Sequence, residues 1–304
     1  MPKSKAEKRR RVFLSHASAN LEAAHQVAAA LDVAGLGSWL DHSDIRVGAL
    51  LDKQLQQAIK ASHAVVLIWS KAAATSRWVA AEVLTAFHLN RFIVPCVLSG
   101  TELPQFLSRS VYFDLRKGRA DALARLGEQV QQAPRARNEF PALSSYRSEE
   151  LNEAVYRIAA EQAAALQPLG HGDLSGAREL QANLDGKMHA AEKRWRYDPT
   201  ILNLAGYHRK NSYMLKHWDE YCAGRFPEDP VLFEAERRFF DTLFVNPLDF
   251  SALNGLGNIL LFAGELDAAE FFVGKAVACA TNAGVVYPEA SHDLELIRSR
   301  TRGF

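Results

Sequence analysis

One carboxylate on an apolar helix is the feature of this sequence with the clearest chemical meaning. In the stretch 76–87 the apolar residues recur at helical spacing, Ser76 is a suitable N-cap, and Trp78 and Glu82 stand four residues apart. Residues four apart project from one helix face, so Glu82 is expected beside a large aromatic ring. Burying a carboxylate costs solvation free energy. The pattern therefore predicts either a rim charge with a solvated head group or a functional carboxylate.

An alternation of strand and helix patterns surrounds this helix. Short apolar runs alternate with helical patterns and predict five strands, at 12–14, 36–40, 64–69, 92–98 and 111–115. The third run is apolar on both faces, as a central parallel strand must be. Such an order is typical of an α/β domain with a parallel, flavodoxin-like sheet. Pro95 in the fourth run indicates a position towards the sheet edge or a bulge.

Polar residues collect where the predicted strands end. Ser15 and His16 end the first strand, and the loop after the second strand carries Ser43 and Arg46. Glu82 lies one turn into the helix that follows the third strand. Because ligands of such sheets bind outside the carboxyl ends of the strands, we expect these side chains to lie close together. The sequence contains neither of the glycine-rich phosphate-binding motifs, and its histidines lack metal-ligand spacing, so no metal is expected.

Three motifs in this order resemble those of TIR domains. Residues 12–18 (VFLSHAS) resemble the first box of that family. Residues 40–48 (LDHSDIRVG) resemble its second box and the loop that follows. Residues 78–86 (WVAAEVLTA) resemble the WxxxE segment of catalytic TIR domains. The resemblance covers residues 10–133, and the motifs are separated by the expected strands and helices.

For this family, the resemblance implies cleavage of NAD⁺ between nicotinamide and ribose, with the WxxxE glutamate, here Glu82, as the essential residue. One carboxylate suits that chemistry, because nicotinamide leaves as a neutral molecule while an anion stabilises the oxocarbenium-like ribose. NAD⁺ is then a substrate, and no cofactor is expected. The resemblance also implies substrate-binding roles on the nicotinamide side for Phe13, Ser15 and His16, in the loop over the nucleotide for Ser43 and Arg46, and in the pocket wall for Trp78.

Some of these assignments have alternatives, and the sequence departs from the family pattern at two places. Trp78 is equally suited to core packing, and Arg46 to a surface position on the loop. Asn20 stands where many members have an acidic residue, which is expected to affect only the helix start. Residues 69–72 (WSKA) replace a common Ser-Pro turn, so the shape of that loop stays open. Neither departure removes the glutamate.

The second half of the chain predicts a separate all-α domain. Residues 134–148 are rich in Pro, Arg, Ser and Asn and are interpreted as a linker, and helical patterns fill 149–304. The segment 252–270 resembles one tetratricopeptide repeat, with small residues at Gly257 and Ala269 where paired helices approach. A TPR-like helical solenoid is therefore expected. Solenoids present binding surfaces and do no chemistry themselves, so this domain either stabilises the protein or controls its assembly.

The composition is that of an ordinary globular protein. A chain of 304 residues is long enough for two domains, and its net charge of +1 gives no reason to expect capture of nucleic acid or membrane. No run approaches the roughly 20 apolar residues of a membrane helix. The three cysteines are far apart within apolar runs, which favours reduced core thiols and a cytoplasmic location.

The hypothesis from the sequence is an NAD⁺ glycohydrolase that is activated by self-association of TIR domains. The helical domain would control this association in response to a protein or ligand trigger, in a manner similar to prokaryotic immune effectors that deplete NAD⁺. A rival is a non-enzymatic adaptor acting through TIR–TIR and TPR contacts, which needs no acid at Glu82. A third hypothesis is an enzyme making a cyclic nucleotide, since hydrolysis and cyclisation share one ribosyl cation.

Overall fold

The chain folds into two compact units, Met1–Pro141 and Ala142–Phe304. The computed structural model describes residues 10–40, 50–117, 119–141 and 147–302. Within those ranges, no helix is both long and apolar enough to cross a lipid bilayer.

The first unit is built on a five-stranded parallel sheet, as predicted. Its strands are β1 (Arg11–Ser15), β2 (Gly37–Trp39), β3 (Ala64–Trp69), β4 (Phe92–Val97) and β5 (Phe113–Asp114). Their order is β2-β1-β3-β4-β5, and every neighbouring pair is parallel. Every residue of β3 is buried, as its apolar sequence requires at the sheet centre. Because the strand order reverses between β1 and β3, the ligand-binding crevice of such a sheet is expected at their carboxyl ends.

The helices of the first unit are α1 (Leu21–Val33), α2 (Lys53–Ala61), α3 (Lys71–Thr75), α4 (Arg77–His88) and α5 (Arg119–Gln131). α3 was predicted as a loop. The hydroxyl of Ser70 caps it by accepting a hydrogen bond from the Ala73 amide at 3.1 Å, and donates to Asn20 Oδ1 at 2.7 Å. The segment 69–72, which replaces the Ser-Pro turn of the family, thus leads into a short helix. Its Ser70 hydroxyl binds Asn20, the other residue that departs from the family pattern.

The two faces of the sheet are covered by different helices. Val12 and Leu14 of β1 belong to a core that includes side chains of α1 and α5. α1 and α5 approach closely at Gly127, where a Cβ would lie 2.2 Å from the Cβ of Ala34. Since successive strand side chains point to opposite faces, Ser15 lies on the other face of β1. That face is the one that α4 covers.

β4 carries a proline at a place where the sheet tolerates it. Pro95 lies opposite Leu67 of β3, and β5 begins to pair with β4 one residue later, at Cys96. Pro95 has no N–H to donate, but β5 does not pair with β4 at this position, so the pairing with β5 loses no hydrogen bond. This agrees with a position near the sheet edge.

Part of the predicted linker packs against the first unit. The Asn138 side chain accepts a hydrogen bond from Ile93 N at 2.7 Å and donates one to Ile93 O at 2.8 Å. Nearby, Phe140 makes an edge contact with Phe87, and the Arg137 guanidinium lies 4.3 Å from the centre of that ring. Asn138 thus binds β4 where β5 does not reach. Residues 142–146 lie outside the described residues, and the domain limits 10–133, 134–148 and 149–304 stay predictions.

Among its described residues, the second unit is mostly helical, as predicted. Its helices are α6 (Glu149–Leu166), α7 (Leu174–Ala182), α8 (Asp185–Arg194), α9 (Pro199–Lys216), α10 (Trp218–Cys222), α11 (Pro230–Val245), α12 (Phe250–Phe262), α13 (Leu266–Asn282) and α14 (Pro288–Arg302). The helical pattern over 175–196 predicts a single helix, whereas α7 and α8 are separate. No side-chain cap marks the start of α8 after Leu184, so the sequence carries no local signal for the break.

The close helix approach predicted from small residues is present. A Cβ on Gly257 of α12 would lie 2.3 Å from Val273 Cγ2 and 3.3 Å from Ala269 O, both on α13. Only glycine fits this contact. The expectation of three core thiols is wrong for Cys222, which is exposed in the short helix α10, whereas Cys96 is buried in β4.

We expect replacement of Asn138 by alanine to loosen the edge of β4. The change removes a buried donor and acceptor from Ile93, and the loss of such hydrogen bonds costs about 1–3 kcal/mol in the free energy of unfolding. Hydrogen exchange should show faster exchange at the Ile93 amide. Asn152→Ala, at an exposed position of α6, is the control. Unchanged protection of Ile93 would contradict the bracing role of Asn138.

Candidate active site

β1 and α4 bring Ser15 and Glu82 together at the carboxyl edge of the sheet. The Ser15 hydroxyl donates a hydrogen bond of 2.6 Å to Glu82 Oε2. Both side chains are buried, with 0% and 1% exposed. Ser15 is the last residue of β1 and lies opposite Leu67 of the central strand β3. The pair therefore lies where the strand order reverses, which is the expected place for a ligand.

The helix that carries Glu82 is fixed along its length. Ser76 caps it by accepting a hydrogen bond from the Val79 amide at 3.3 Å, as predicted. Every residue from Val79 to Phe87 is buried. Glu82 is therefore not a rim charge with a solvated head group, and that alternative from the sequence is wrong. The fold holds this carboxyl group inside the protein at a defined position.

Burial raises the pKa of Glu82 to about 8 from the ordinary value of 4.5, and the hydrogen bond from Ser15 acts in the opposite direction. At neutral pH the carboxyl group is accordingly mostly protonated in the free protein. A cationic ligand beside it would favour the ionised form, because opposite charges stabilise each other strongly where water is excluded. The site is suited to chemistry in which positive charge lies close to one carboxylate.

The other predicted site residues have different positions. His16 follows Ser15 directly and is buried, with Nδ1 3.3 Å from the Leu14 carbonyl oxygen. Trp78 is half-buried, one helical turn before Glu82. Phe13 is 1% exposed, and its ring lies 6.1 Å from that of Trp39. The remaining two candidates, Ser43 and Arg46, lie outside the described residues.

The structure adds two aromatic side chains that the sequence did not single out. Trp39 ends β2 against Phe13, and Trp69 ends β3 with its indole N–H donating to the Glu102 carbonyl at 2.9 Å. Their only signal in the sequence is a tryptophan at the end of a predicted strand. Among the described residues, no group of His, Cys, Asp and Glu side chains is placed to hold a metal ion.

The raised pKa predicts that Glu82→Gln stabilises the protein at alkaline pH. Folded Glu82 binds its proton up to about pH 8, whereas the unfolded chain releases it near 4.5. The stability that protonated Glu82 contributes is therefore complete below pH 4.5 and is lost as the pH rises through 8. Glutamine stays neutral throughout. At about 1.4 kcal/mol for each pKa unit, a shift from 4.5 to about 8 should favour the variant by about 5 kcal/mol in the free energy of unfolding at alkaline pH.

Thermal unfolding of the full chain between pH 5 and pH 9 measures this effect. The free energy of unfolding of Glu82→Gln should exceed that of the wild type by an amount that grows with pH across that interval. Glu22→Gln, at an exposed position of α1, serves as the control and should give a difference that hardly varies. A difference for Glu82→Gln that stays constant with pH would mean that the pKa of Glu82 is the same in the folded and the unfolded chain, and would contradict the raised pKa.

Residues 12–129 match the TIR_2 family model, described as a TIR domain. Comparisons with curated proteins and with solved structures return no match. The matched range contains β1 to β5 and the Ser15–Glu82 pair. The resemblance to TIR domains is thereby confirmed for this range, whereas the catalytic type and the TPR-like nature of the helical unit stay predictions.

Proposed function

We propose that this chain, which contains a TIR domain at residues 12–129, is an NAD⁺ glycohydrolase. It would cleave the bond between nicotinamide and ribose and release nicotinamide and ADP-ribose, or a cyclic ADP-ribose. TIR domains include NAD⁺ hydrolases as well as adaptors. The observation that favours an enzyme is the buried Glu82 carboxyl group, held by Ser15 at the ligand-binding edge of the sheet.

The proposed reaction needs only one carboxylate. When the glycosidic C–N bond breaks, its electron pair neutralises the pyridinium ring, so nicotinamide leaves without a general acid. The ribose becomes cationic, and ionised Glu82 stabilises it in a site that excludes water. A water molecule then attacks the ribosyl carbon and loses a proton. Glu82, whose pKa lies at about 8, is suited to accept that proton.

The surrounding residues have proposed roles that agree with their exposure. Trp78 is half-buried one turn from Glu82, which suits a pocket wall, and His16, buried just after β1, is proposed for the nicotinamide side. Phe13 is almost fully buried, so it would support the wall from the core. Ser43 and Arg46 keep their proposed role in the loop over the nucleotide.

The decisive measurement is NAD⁺ loss and nicotinamide release by the full chain over a series of protein concentrations. We expect Glu82→Gln to reduce the rate at least about 100-fold, the effect of removing one electrostatic group from an active site. Glu22→Gln should retain the rate. The accompanying product, linear or cyclic, distinguishes hydrolysis from cyclisation. An equal rate in Glu82→Gln would refute the assignment, and no NAD⁺ loss at any concentration, even with crowding agents, would favour the adaptor.

We propose further that the TIR domain acts as a self-associated form. TIR domains commonly self-associate, and the edge of the sheet offers a surface for it. A groove of about 1020 Å³ lies beside β5 and α5, and Val111 and Tyr112 line it with 89% and 47% of their surface exposed. Exposed apolar side chains at an edge strand are typical of interaction surfaces. A helical unit that brings two chains together would raise the effective concentration of their TIR domains.

Replacing Val111 by aspartate tests this surface. Burying even a neutral polar group without a partner costs about 1–3 kcal/mol, and burying a charge costs more, so the dissociation constant of the assembly should rise at least about tenfold. The activity should then require correspondingly higher protein concentration. Val33→Asp is the matched control, because Val33 is 91% exposed on α1 and away from the groove. Sedimentation should show weaker assembly, and NAD⁺ loss should be slower at a given protein concentration, for Val111→Asp but not for Val33→Asp. If the two variants behave identically, the groove is not the contact surface.

The helical unit is proposed to be a TPR-like module that receives a protein or ligand trigger. Support comes from the repeat-like segment 252–270 and from the close packing of α12 on α13 at Gly257. On this proposal the whole chain resembles prokaryotic immune effectors that deplete NAD⁺ when activated.

A further inference from the structure

We propose that Ser15 is a positioning residue for Glu82: its hydroxyl fixes carboxylate oxygen Oε2 and stabilises the ionised form that the ribosyl cation requires. The inference rests on the proposed function, and it replaces the role in substrate binding expected for Ser15 from the resemblance. It assigns Ser15 an effect on the reaction through Glu82, without contact with NAD⁺.

The geometry supports a fixed contact. The 2.6 Å hydrogen bond joins residues 67 positions apart in sequence, so it depends on the packing of β1 against α4. β1 pairs with β2 as far as Phe13 and with β3 as far as Ser15, which lies opposite Leu67, so its last residue is held by the central strand. The helix on the other side of the bond is capped at Ser76 and buried along its length. Neither partner can move far without disturbing the sheet or the helix.

The burial of Ser15 favours action through Glu82. Its side chain is 0% exposed, and its single hydroxyl proton is donated to Oε2. A hydroxyl has only one proton to donate, so this one has none left for a substrate oxygen. A donor aimed at a carboxylate favours the charged form, as hydrogen bonds to charged groups generally do.

The local electrostatics show why such a donor matters. Burial raises the pKa of Glu82, and the hydrogen bond from Ser15 lowers it. Titratable side chains do occur on α4 itself and on the elements packed against it, namely Arg11 on β1 with His16 after it, Lys53 and Lys60 on α2, Lys71 on α3, Cys96 on β4, and Arg77 and His88 on α4. Ser15 is thus the identified group that opposes the effect of burial.

The first test is the pH dependence of kcat/KM, which reports ionisation in the free enzyme. For the full chain we expect kcat/KM to rise with pH through an apparent pKa of about 8. In Ser15→Ala that apparent pKa should be about one unit higher, because a hydrogen bond to a charged group is lost. The variant should therefore be about tenfold slower at pH 7 and nearly equal to the wild type at pH 10, after subtraction of the uncatalysed rate.

Two further variants separate this role from structural damage. Ser15→Cys keeps the size of the side chain with a weaker donor, so its apparent pKa should lie between those of the wild type and Ser15→Ala. If Ser15→Ala does not fold, the pH profile of Ser15→Cys provides the test instead. Ser62→Ala removes another buried hydroxyl, which donates to the Ala58 carbonyl at 2.8 Å before the start of β3, and it should leave the pH profile unchanged. A loss of rate in Ser15→Ala that is equal at every pH, or an increase of KM alone, would overturn the proposal.

A direct titration of Glu82 distinguishes failure of this inference from failure of the proposed function. Carbon-13 labelling of the glutamate carboxyl groups allows titration by NMR, and the Glu82 resonance is the one absent from Glu82→Gln. Its midpoint should be higher in Ser15→Ala than in the wild type. A higher midpoint without any NAD⁺ cleavage would uphold the Ser15–Glu82 relation and reject the enzyme. NAD⁺ cleavage with an unchanged midpoint would reject the role of Ser15 alone.

Discussion

A carboxyl group that is buried with its helix and bound by the Ser15 hydroxyl is the constraint on which the first unit depends. Glu82 cannot turn to solvent, because the whole stretch from Val79 to Phe87 is buried and α4 is capped at Ser76. The fold therefore fixes the position of Glu82 and also sets the pH at which it ionises. Burial favours the neutral acid, the Ser15 hydroxyl favours the carboxylate, and their balance gives a pKa of about 8, within reach of physiological pH.

That balance depends on the register of β1. Val12 and Leu14 face the core beneath α1 and α5, so Ser15 faces α4. A slip by one residue would turn every side chain of the strand to the opposite face and remove the donor from Glu82. Pairing with both β2 and β3 holds the register. The same alternation that builds the hydrophobic core thus places the Ser15 hydroxyl against the acid.

Local patterns predict most of the fold, because apolar runs and helical periods are visible within a few residues. The five strands, the capped helix carrying Glu82 and the close contact at Gly257 follow from such patterns. The short helix α3 does not, since five residues are too few to show a period. Asn138 was assigned to a linker by composition, yet its amide binds β4 through a contact that only the folded chain creates. The Ser15–Glu82 bond depends likewise on packing between distant segments, so the sequence suggests both residues but not their contact.

The balance at Glu82 also bears on which dinucleotide the proposed enzyme would cleave. A carboxyl group that is mostly neutral at rest needs a positive charge nearby to ionise. NAD⁺ brings such a charge on its nicotinamide ring, and that ring becomes a neutral leaving group when the bond breaks. NADH has a neutral dihydronicotinamide, which neither promotes ionisation of Glu82 nor leaves as a stable neutral molecule. In the proposed enzyme, a buried acid with a raised pKa would therefore discriminate between the two by charge, without a side chain that recognises the ring itself.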